Sequence, residues 1–195
     1  MSLTVMLGGD VHVTGRAKPA QALEALRPIL DRADVRIVNM EGLLVEPSST
    51  GATPDIPHKA NWRHPGPQMI DALVAAGIDA VSCANNVSYP PQALLESIAA
   101  LDEAGIGHAG GGKDTADAHA PHILNRAGTK VGLWTVPVRE DLDRMIADIE
   151  AARQRCDFLV VSVHWGLPGT ALCDYQPVVA RAAIDAGADV IMGHG

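Results

Sequence analysis

Acidic, amide and imidazole side chains follow short apolar runs at five points along the 195-residue chain. The five groups, in order, are Asp10-Val11-His12, Asn39-Met40-Glu41, Asn85-Asn86, His164 and His194. Because ligands in open α/β sheets collect at the carboxyl ends of the strands, we expect these side chains to meet at one rim. Carboxylate, amide and imidazole groups together suit a divalent metal ion such as Mn, Fe, Zn, Mg or Ca. A single histidine after a strand is more often structural, and it is the five coincidences that favour a metal site.

The arrangement of apolar runs predicts the elements that position these groups. Seven runs predict strands, at Leu3–Leu7, Val35–Met40, Ala80–Cys83, Gly107–Ala109, Lys130–Val136, Phe158–Val163 and Val190–Met192. Five segments between them predict helices, at Pro19–Ala33, Pro67–Ala76, Ala93–Ala104, Arg139–Arg155 and Pro177–Ala186. Most of the strands are apolar throughout, as expected for strands covered on both faces. The order predicts one layered α/β domain over residues 1–195.

Composition argues against several classes of partner. The formal net charge of −8 argues against nucleic acid and anionic membranes, which attract basic surfaces. No stretch approaches 18 consecutive apolar residues, so no membrane-spanning helix is expected. Three cysteines without a CxxC spacing, and a first segment without the basic region of a signal peptide, predict a cytoplasmic protein.

One segment interrupts the alternation of strands and helices. Residues Pro47–Arg63 are rich in Pro, Ser, Thr and Gly, which predicts a long surface loop. The loop follows the strand that carries Glu41, so it can fold over the predicted rim. We therefore predict substrate contacts from His58, Lys59 and Arg63, with an ordinary surface loop as the equal alternative.

Several motifs resemble a known family. Asp10-Val-His12 looks like the Asp-x-His opening of calcineurin-like metallophosphatases. The remaining motifs are similar to the CapA branch of that superfamily, which is known for poly-γ-glutamate capsule synthesis. They are Asn39-Met-Glu41, Ala-Gly-Ile-Asp-Ala-Val-Ser-Cys-Ala-Asn-Asn at 76–86, and the stretches at 101–106, 161–166, 184–191 and 193–194. The resemblance covers nearly the whole chain, in order.

The resemblance implies a fold and a set of roles. The fold would be a four-layer α/β/β/α sandwich with one or two metals. The implied metal ligands are Asp10, His12, Glu41, Asn86, His164 and His194. Glu41 would bridge two metals, and paired metals lower the pKa of a bound water and clamp a phosphoryl group. Of the ligands, Asp10, His12 and His164 are also the predicted catalytic residues, and Asn85 is predicted to contact the substrate.

The chain departs from the family pattern in two places. The family continues Asn-Asn-His-x-x-Asp, whereas this chain has Val87 for the histidine and Pro90 for the aspartate. Valine cannot donate a proton, and general acid–base catalysis is typically worth ~100- to 10,000-fold. The family also continues past Gly-His with a second histidine and closing strands. We therefore expect a domain incomplete at its C-terminal side, completed by further residues, a second chain or a homodimer.

These features favour two classes of function. The retained ligands favour a metal-dependent enzyme acting on a phosphoryl, acyl or peptidyl group of a small-molecule or peptide substrate. The replacement at Val87 favours a catalytically inactive binding module for capsule assembly. A metal-dependent peptide epimerase, in which His and Asp carry an α-proton, would reconcile the two.

Overall fold

The computed structural model describes residues 2–44, 66–137, 141–167 and 169–195. Within these ranges the strands are Val5–Val11 (β1), Val35–Met40 (β2), Ala80–Ser82 (β3), Gly107–Ala109 (β4), His122–Arg126 (β5), Thr129–Pro137 (β6), Phe158–His164 (β7) and Val190–His194 (β8). The α-helices are Arg27–Leu30 (α1), Gln68–Ala76 (α2), Pro91–Glu103 (α3), Thr115–His119 (α4), Leu142–Arg153 (α5) and Tyr175–Asp185 (α6). Two short 3₁₀ turns, Pro19–Gln21 and Glu24–Leu26, precede α1.

The strands form two four-stranded sheets that keep the order of the chain. The first sheet, β1-β2-β3-β4, is parallel throughout. In the second sheet, β6, β7 and β8 are parallel and β5 pairs antiparallel with β6. The β5–β6 connection is a two-residue turn in which Ala127 and Gly128 both have positive φ, the geometry that matches the twist of a hairpin.

Three apolar clusters show how the sheets and helices are layered. Residues from both sheets, such as Ile37 of β2 and Val160 of β7, pack in one cluster between the sheets. A second cluster joins the outer face of the first sheet to α2 and α3, through Leu73 and Leu101. A third joins the outer face of the second sheet to α5 and α6, through Ile149. The protein is therefore a mixed α/β fold in which helices cover the outer faces of two packed sheets.

The inner faces of the two sheets are apolar over most of the strands and polar at the carboxyl ends. Alternate residues of a strand lie on the same face. The apolar residues in the cluster between the sheets therefore show which residues further along each strand also face the other sheet. Those residues, at the carboxyl ends of the strands, are polar: Asn39, Ser82, Thr135, Ser162, His164 and His194. The Ser82 and Thr135 hydroxyls hydrogen-bond across the two sheets at 2.7 Å. One end of the interior between the sheets is therefore polar.

Most predicted elements are confirmed with shifted ends, and the differences have local causes. The predicted helix Pro19–Ala33 is wrong, since only two 3₁₀ turns and the short α1 form there. Pro28 lies in the first turn of α1, where its missing N–H is tolerated, whereas a continuous helix would have placed it in the interior. The sequence pattern also missed β5 and α4. In the described parts of the chain, no helix is long and apolar enough to cross a membrane.

Candidate metal centre

A bulge in β1 determines where Asp10 points. Leu7 pairs with Ile37 and Asp10 pairs with Asn39, so three steps along β1 match two along β2. The extra residue lies in the Gly8-Gly9 pair, and glycine within a strand often marks such a bulge. Because Ile37 faces the second sheet, its face-mate Asn39 does so too, and the bulge brings Asp10 onto that same side.

Asp10, His164 and His194 converge where the two sheets meet. β1 and β8 are the edge strands of their sheets and lie against each other. The Oδ1 atom of Asp10 is 3.1 Å from Nδ1 of His194, which is 3.2 Å from Nδ1 of His164. One ligand atom from each of the three residues lies within 4.8 Å of the other two. The three side chains form a cluster of metal-binding size, which we call the Asp-His-His cluster.

Two buried polar residues orient this cluster. Asn39 is fully buried, and its Nδ2 donates a 2.8 Å hydrogen bond to Oδ1 of Asp10. Ser162, also fully buried, places its hydroxyl 2.8 Å from Nε2 of His194. With Nε2 engaged, Nδ1 of His194 is the nitrogen that faces Asp10 and His164. Metal-ligating histidines almost always have such a partner on the other ring nitrogen, and it fixes the tautomer and ring orientation.

The surroundings hold the Asp10 carboxyl in its charged form. Partial burial of the Asp10 side chain, which is 25% exposed, acts to raise its pKa. Hydrogen bonds from His194 and Asn39, together with the positive charge of His194 and His164, outweigh that effect and leave the pKa below its ordinary value. An ionised carboxylate is the form that binds a cation.

Of the other predicted ligands, His12 and Glu41 lie outside the cluster. Among the described residues, no further carboxylate, imidazole or thiol completes a group with these three at the same spacing, so His12 and Glu41 fall outside it. The backbone N–H and hydroxyl of Thr14 contact the two ring nitrogens of His12, at 3.3 and 3.2 Å. Glu41 is buried, with 4% of its surface exposed, and Asn86 is exposed. The ligand roles of all six residues, including the three that converge, stay predictions.

Asn85 hydrogen-bonds to Asn39, which in turn hydrogen-bonds to Asp10 of the cluster. Its Nδ2 donates to Oδ1 of Asn39 at 3.3 Å and to the Met40 carbonyl at 2.8 Å. Its Oδ1 accepts from the Val87 backbone at 3.1 Å and the Ser88 hydroxyl at 3.0 Å. Asn85 therefore joins β2 to the loop after β3. The predicted substrate contacts His58, Lys59 and Arg63 lie outside the described residues.

Val87 is a buried aliphatic residue in this loop, with 5% of its surface exposed. The position where the family pattern has a histidine therefore carries no titratable group. The backbone N–H of Val87 instead donates a hydrogen bond that helps to position Asn85.

Sequence reasoning placed Asn39 at the predicted rim without assigning its orienting role, and it missed Ser162. The sequence contains a signal for both residues. Each is a polar residue on a strand face whose earlier residues are apolar and pack between the sheets. Ser162 precedes His164 by two positions, and Asn39 is the last residue of β2 on the face of Val35 and Ile37. A polar residue ending a row of alternate apolar residues indicates a polar end of the interior.

The donor set fits a divalent metal. Two imidazole nitrogens and one carboxylate oxygen form three protein ligands, the number that catalytic sites with an open position supply. The partners of His194 and Asp10, described above, are the supporting contacts that such ligands need.

Residues 4–195 match the family model described as "Bacterial capsule synthesis protein PGA_cap", so the chain belongs to that family. The resemblance to CapA proteins is thereby confirmed. The chain is 25% identical over 202 residues to a probable polyglutamine synthesis accessory protein of Mycobacterium tuberculosis, covering 88% of this chain and 52% of the relative. It is 25% identical over 150 residues to the capsule biosynthesis protein CapA of Bacillus anthracis, covering 65% of this chain and 36% of CapA. The chain spans about half or less of the length of these relatives.

A solved structure shares the fold. The crystal structure of a hypothetical protein from Thermus thermophilus aligns with 98% of this chain and 67% of its own, with a TM-score of 0.60 and 19% identity. At that identity the likeness speaks for the fold alone.

Proposed function

We propose that this chain carries a metal-dependent, phosphoesterase-type active site, acting on a phosphoryl, acyl or peptidyl group of a small-molecule or peptide substrate. The substrate would belong to capsule polyglutamate or peptide metabolism, in the cytoplasm. The observation that carries the proposal is the convergence of Asp10, His164 and His194 between the carboxyl ends of two sheets. Membership of the capsule synthesis family and the names of the relatives support the metabolic setting.

The fold assignment behind this proposal is a calcineurin-like metallophosphatase sandwich. Two packed sheets with helices on their outer faces support it. So does the position of the Asp-His-His cluster at the carboxyl ends of β7 and β8, opposite the Asp10 strand. In this arrangement His12, Glu41 and Asn86 are proposed to complete the ligand set around the cluster.

Asp10, His164 and His194 would hold the metal, and the nitrogen-rich donor set favours Zn, Mn or Fe over Mg or Ca. When bound, such an ion lowers the pKa of a water molecule and polarises a phosphoryl or carbonyl oxygen. Asn39 keeps the Asp10 carboxylate aimed at the site and ionised, and Ser162 keeps Nδ1 of His194 facing it. Asn85, His58, Lys59 and Arg63 are the proposed substrate contacts.

The proposed enzyme lacks a proton donor at Val87, which gives it a specific rate pattern. Hydrolysis of an alkyl phosphate ester needs a proton on the departing alkoxide oxygen, whereas the nitrophenolate group of a nitrophenyl phosphate departs without one. We expect slow alkyl ester hydrolysis, faster nitrophenyl ester hydrolysis, and a selective rise of roughly 100-fold or more in the alkyl rate in Val87→His. The rates are measured with added Mn in the wild type, in Val87→His, and in the matched size control Val87→Leu.

A catalytically inactive binding module is the second candidate, favoured by the burial of Val87. It predicts metal binding without hydrolysis of either ester, in the wild type and in Val87→His. That result would remove the phosphatase proposal and leave a binding module or a peptide epimerase. Deuterium uptake at the α-carbon of a peptide substrate separates these two, since only the epimerase exchanges that proton with solvent.

A further inference from the structure

A cavity lies along β1, directly beside the Asp-His-His cluster. Its volume is about 270 Å³, and eight consecutive residues, Met6–Val13, line it. Asp10 and His12, both residues of the proposed site, line this cavity, and so does Arg16. We call this space the β1 cavity.

The bulge that places Asp10 also creates the β1 cavity. Met6 and Val11 pack on the helix-covered face of the first sheet, and the Gly8-Gly9 pair between them has no side chains. A Cβ added to Gly9 would meet no atom within 4 Å. The segment facing this gap contains the short 3₁₀ turns and α1, and it contributes Ala22, Leu23, Leu26, Ile29 and Leu30 to the lining.

The lining of the β1 cavity selects for an apolar occupant. Apart from Asp10, His12, Arg16 and Arg36, its walls are glycine and aliphatic or methionine side chains. The Arg36 guanidinium is already engaged by the Leu30 and Ala33 carbonyls. Leu26 and Ile29 line the cavity and remain 47% and 53% exposed. An apolar group covering them would gain the free energy of removing that surface from water.

We propose that the β1 cavity binds an aliphatic group of the substrate while the substrate's anionic group is held at the Asp-His-His cluster. This inference rests on the proposed metal site and adds a substrate class, an amphiphile with a short aliphatic chain. Asp10 supports it, because this residue belongs to the cluster and also lines the cavity, so the two spaces are adjacent. The volume lies just below the usual range for ligand pockets, roughly 300–1,000 Å³, which limits the chain to a few carbons.

A series of alkylphosphonates tests both parts separately. Calorimetry with Mn-loaded protein compares methyl-, propyl- and pentylphosphonate. Methylphosphonate reports only on the metal site, and the gain with chain length reports on the cavity. We expect affinity to rise by about fourfold per methylene until the cavity is filled, the factor for burying one methylene from water. Affinity that is independent of chain length would overturn the proposal.

Matched variants locate the gain. Ala22 lines the β1 cavity, whereas Ala25, exposed on the same segment, does not. Ala22→Phe should abolish the chain-length gain and leave methylphosphonate affinity unchanged, and Ala25→Phe should change neither. Should Ala22→Phe not fold, Leu26→Ser at the cavity mouth should lower the pentyl-to-methyl affinity ratio several-fold. A chain-length gain that survives in both cavity variants would place the aliphatic group elsewhere.

A metal-free experiment keeps the two proposals distinguishable. If methylphosphonate shows no Mn-dependent binding, the proposed function fails, and the cavity is tested with n-hexanol alone. Methyl NMR of metal-free protein should show shifts confined to methyl groups that line the β1 cavity, such as those of Leu23, Leu26 and Ile29, and these shifts should disappear in Ala22→Phe. No shift, or shifts spread over the surface, would overturn the cavity proposal on its own.

Discussion

The two sheets meet along two pairs of edge strands, and both junctions contain histidines. On one side β1 lies against β8, with Asp10 near His194. On the other side β4 lies against β5, with His108 near His122. The first junction has the geometry of a metal site. The second has similar residue types, since Asp102 of α3 lies 3.2 Å from His108, but a different arrangement.

At the β4–β5 junction the donor atoms do not converge. In the parts of the chain that the structure describes, Asp102, His108 and His122 do not form a group with mutual spacing of a metal site. The Asp102 side chain is 66% exposed, and the buried Nδ1 of His108 has no hydrogen-bond partner among the described residues. The His122 ring packs over Gly107, where a Cβ would overlap it. The two junctions thus share residue types. Only at the β1–β8 junction, among the described residues, do the donor atoms converge and receive hydrogen bonds from buried side chains.

The largest expected difference between the junctions is in metal affinity. His194→Ala removes a proposed ligand from the Asp-His-His cluster, so we expect affinity for Mn or Zn to fall by more than about 100-fold, beyond the loss typical of a supporting residue. His122→Ala, the control at the β4–β5 junction, should leave affinity within about twofold. Calorimetric titration of both folded variants checks this. Equal losses would show that the comparison between the junctions is mistaken.

The β4–β5 junction should instead be sensitive to packing. Gly107→Ala places a methyl group against the His122 ring, so we expect the free energy of unfolding to fall by about 1–3 kcal/mol. Gly9→Ala in the β1 bulge, where the methyl meets nothing, should lower stability by less than about 0.5 kcal/mol. Urea unfolding of both variants measures the difference. A well-tolerated alanine at 107 would mean that the His122 ring moves freely.

A smaller effect should follow from removing a supporting hydroxyl. Ser162→Ala leaves Nε2 of His194 without its partner, and loss of such a contact typically costs about 10- to 100-fold in metal affinity. Ser82→Ala is the matched control, because Ser82 is equally buried on the same inner face but bonds Thr135. Titration with Mn or Zn compares the two. Equal affinities in both variants would show that Ser162 does not orient the ligand.

The smallest predicted effect is a pH dependence that belongs to the β4–β5 junction. Burial, and then the neighbouring charge of His108, lower the pKa of His122 below its ordinary value of 6.5, while Asp102 acts in the opposite direction. The unfolded chain therefore binds the proton more readily. The contribution of neutral His122 to the free energy of unfolding is fully present above about pH 6.5. It is lost as the pH falls toward the lower pKa that His122 has in the folded protein. Urea unfolding of wild type and His122→Phe over this range should show a weaker pH dependence in the variant.

The sequence predicts the broad fold and three converging side chains because both depend on local pattern. Apolar runs mark the strands, and polar residues at their ends mark the rim, which is how Asp10, His164 and His194 are found. The apolar pattern does not show the division into two sheets, because apolar strands occur in both of them. Nor does it show the grouping within the rim, since His12 lies only two residues from Asp10 and yet outside the cluster. That distinction depends on side-chain direction in three dimensions.

The bulge in β1 makes the register of this strand decide the direction of Asp10. Side chains alternate between the two faces of a regular strand, so Leu7 and Asp10, three positions apart, would face opposite sides without the bulge. The extra residue lets both of them face the second sheet while Asp10 stays paired with Asn39. Deleting Gly9 would remove the bulge and leave Asp10 two positions after Leu7, on the same face and with the same partner. Among homologous chains, a one-residue gap at positions 8–9 is thus expected to be compatible with the same direction of the aspartate.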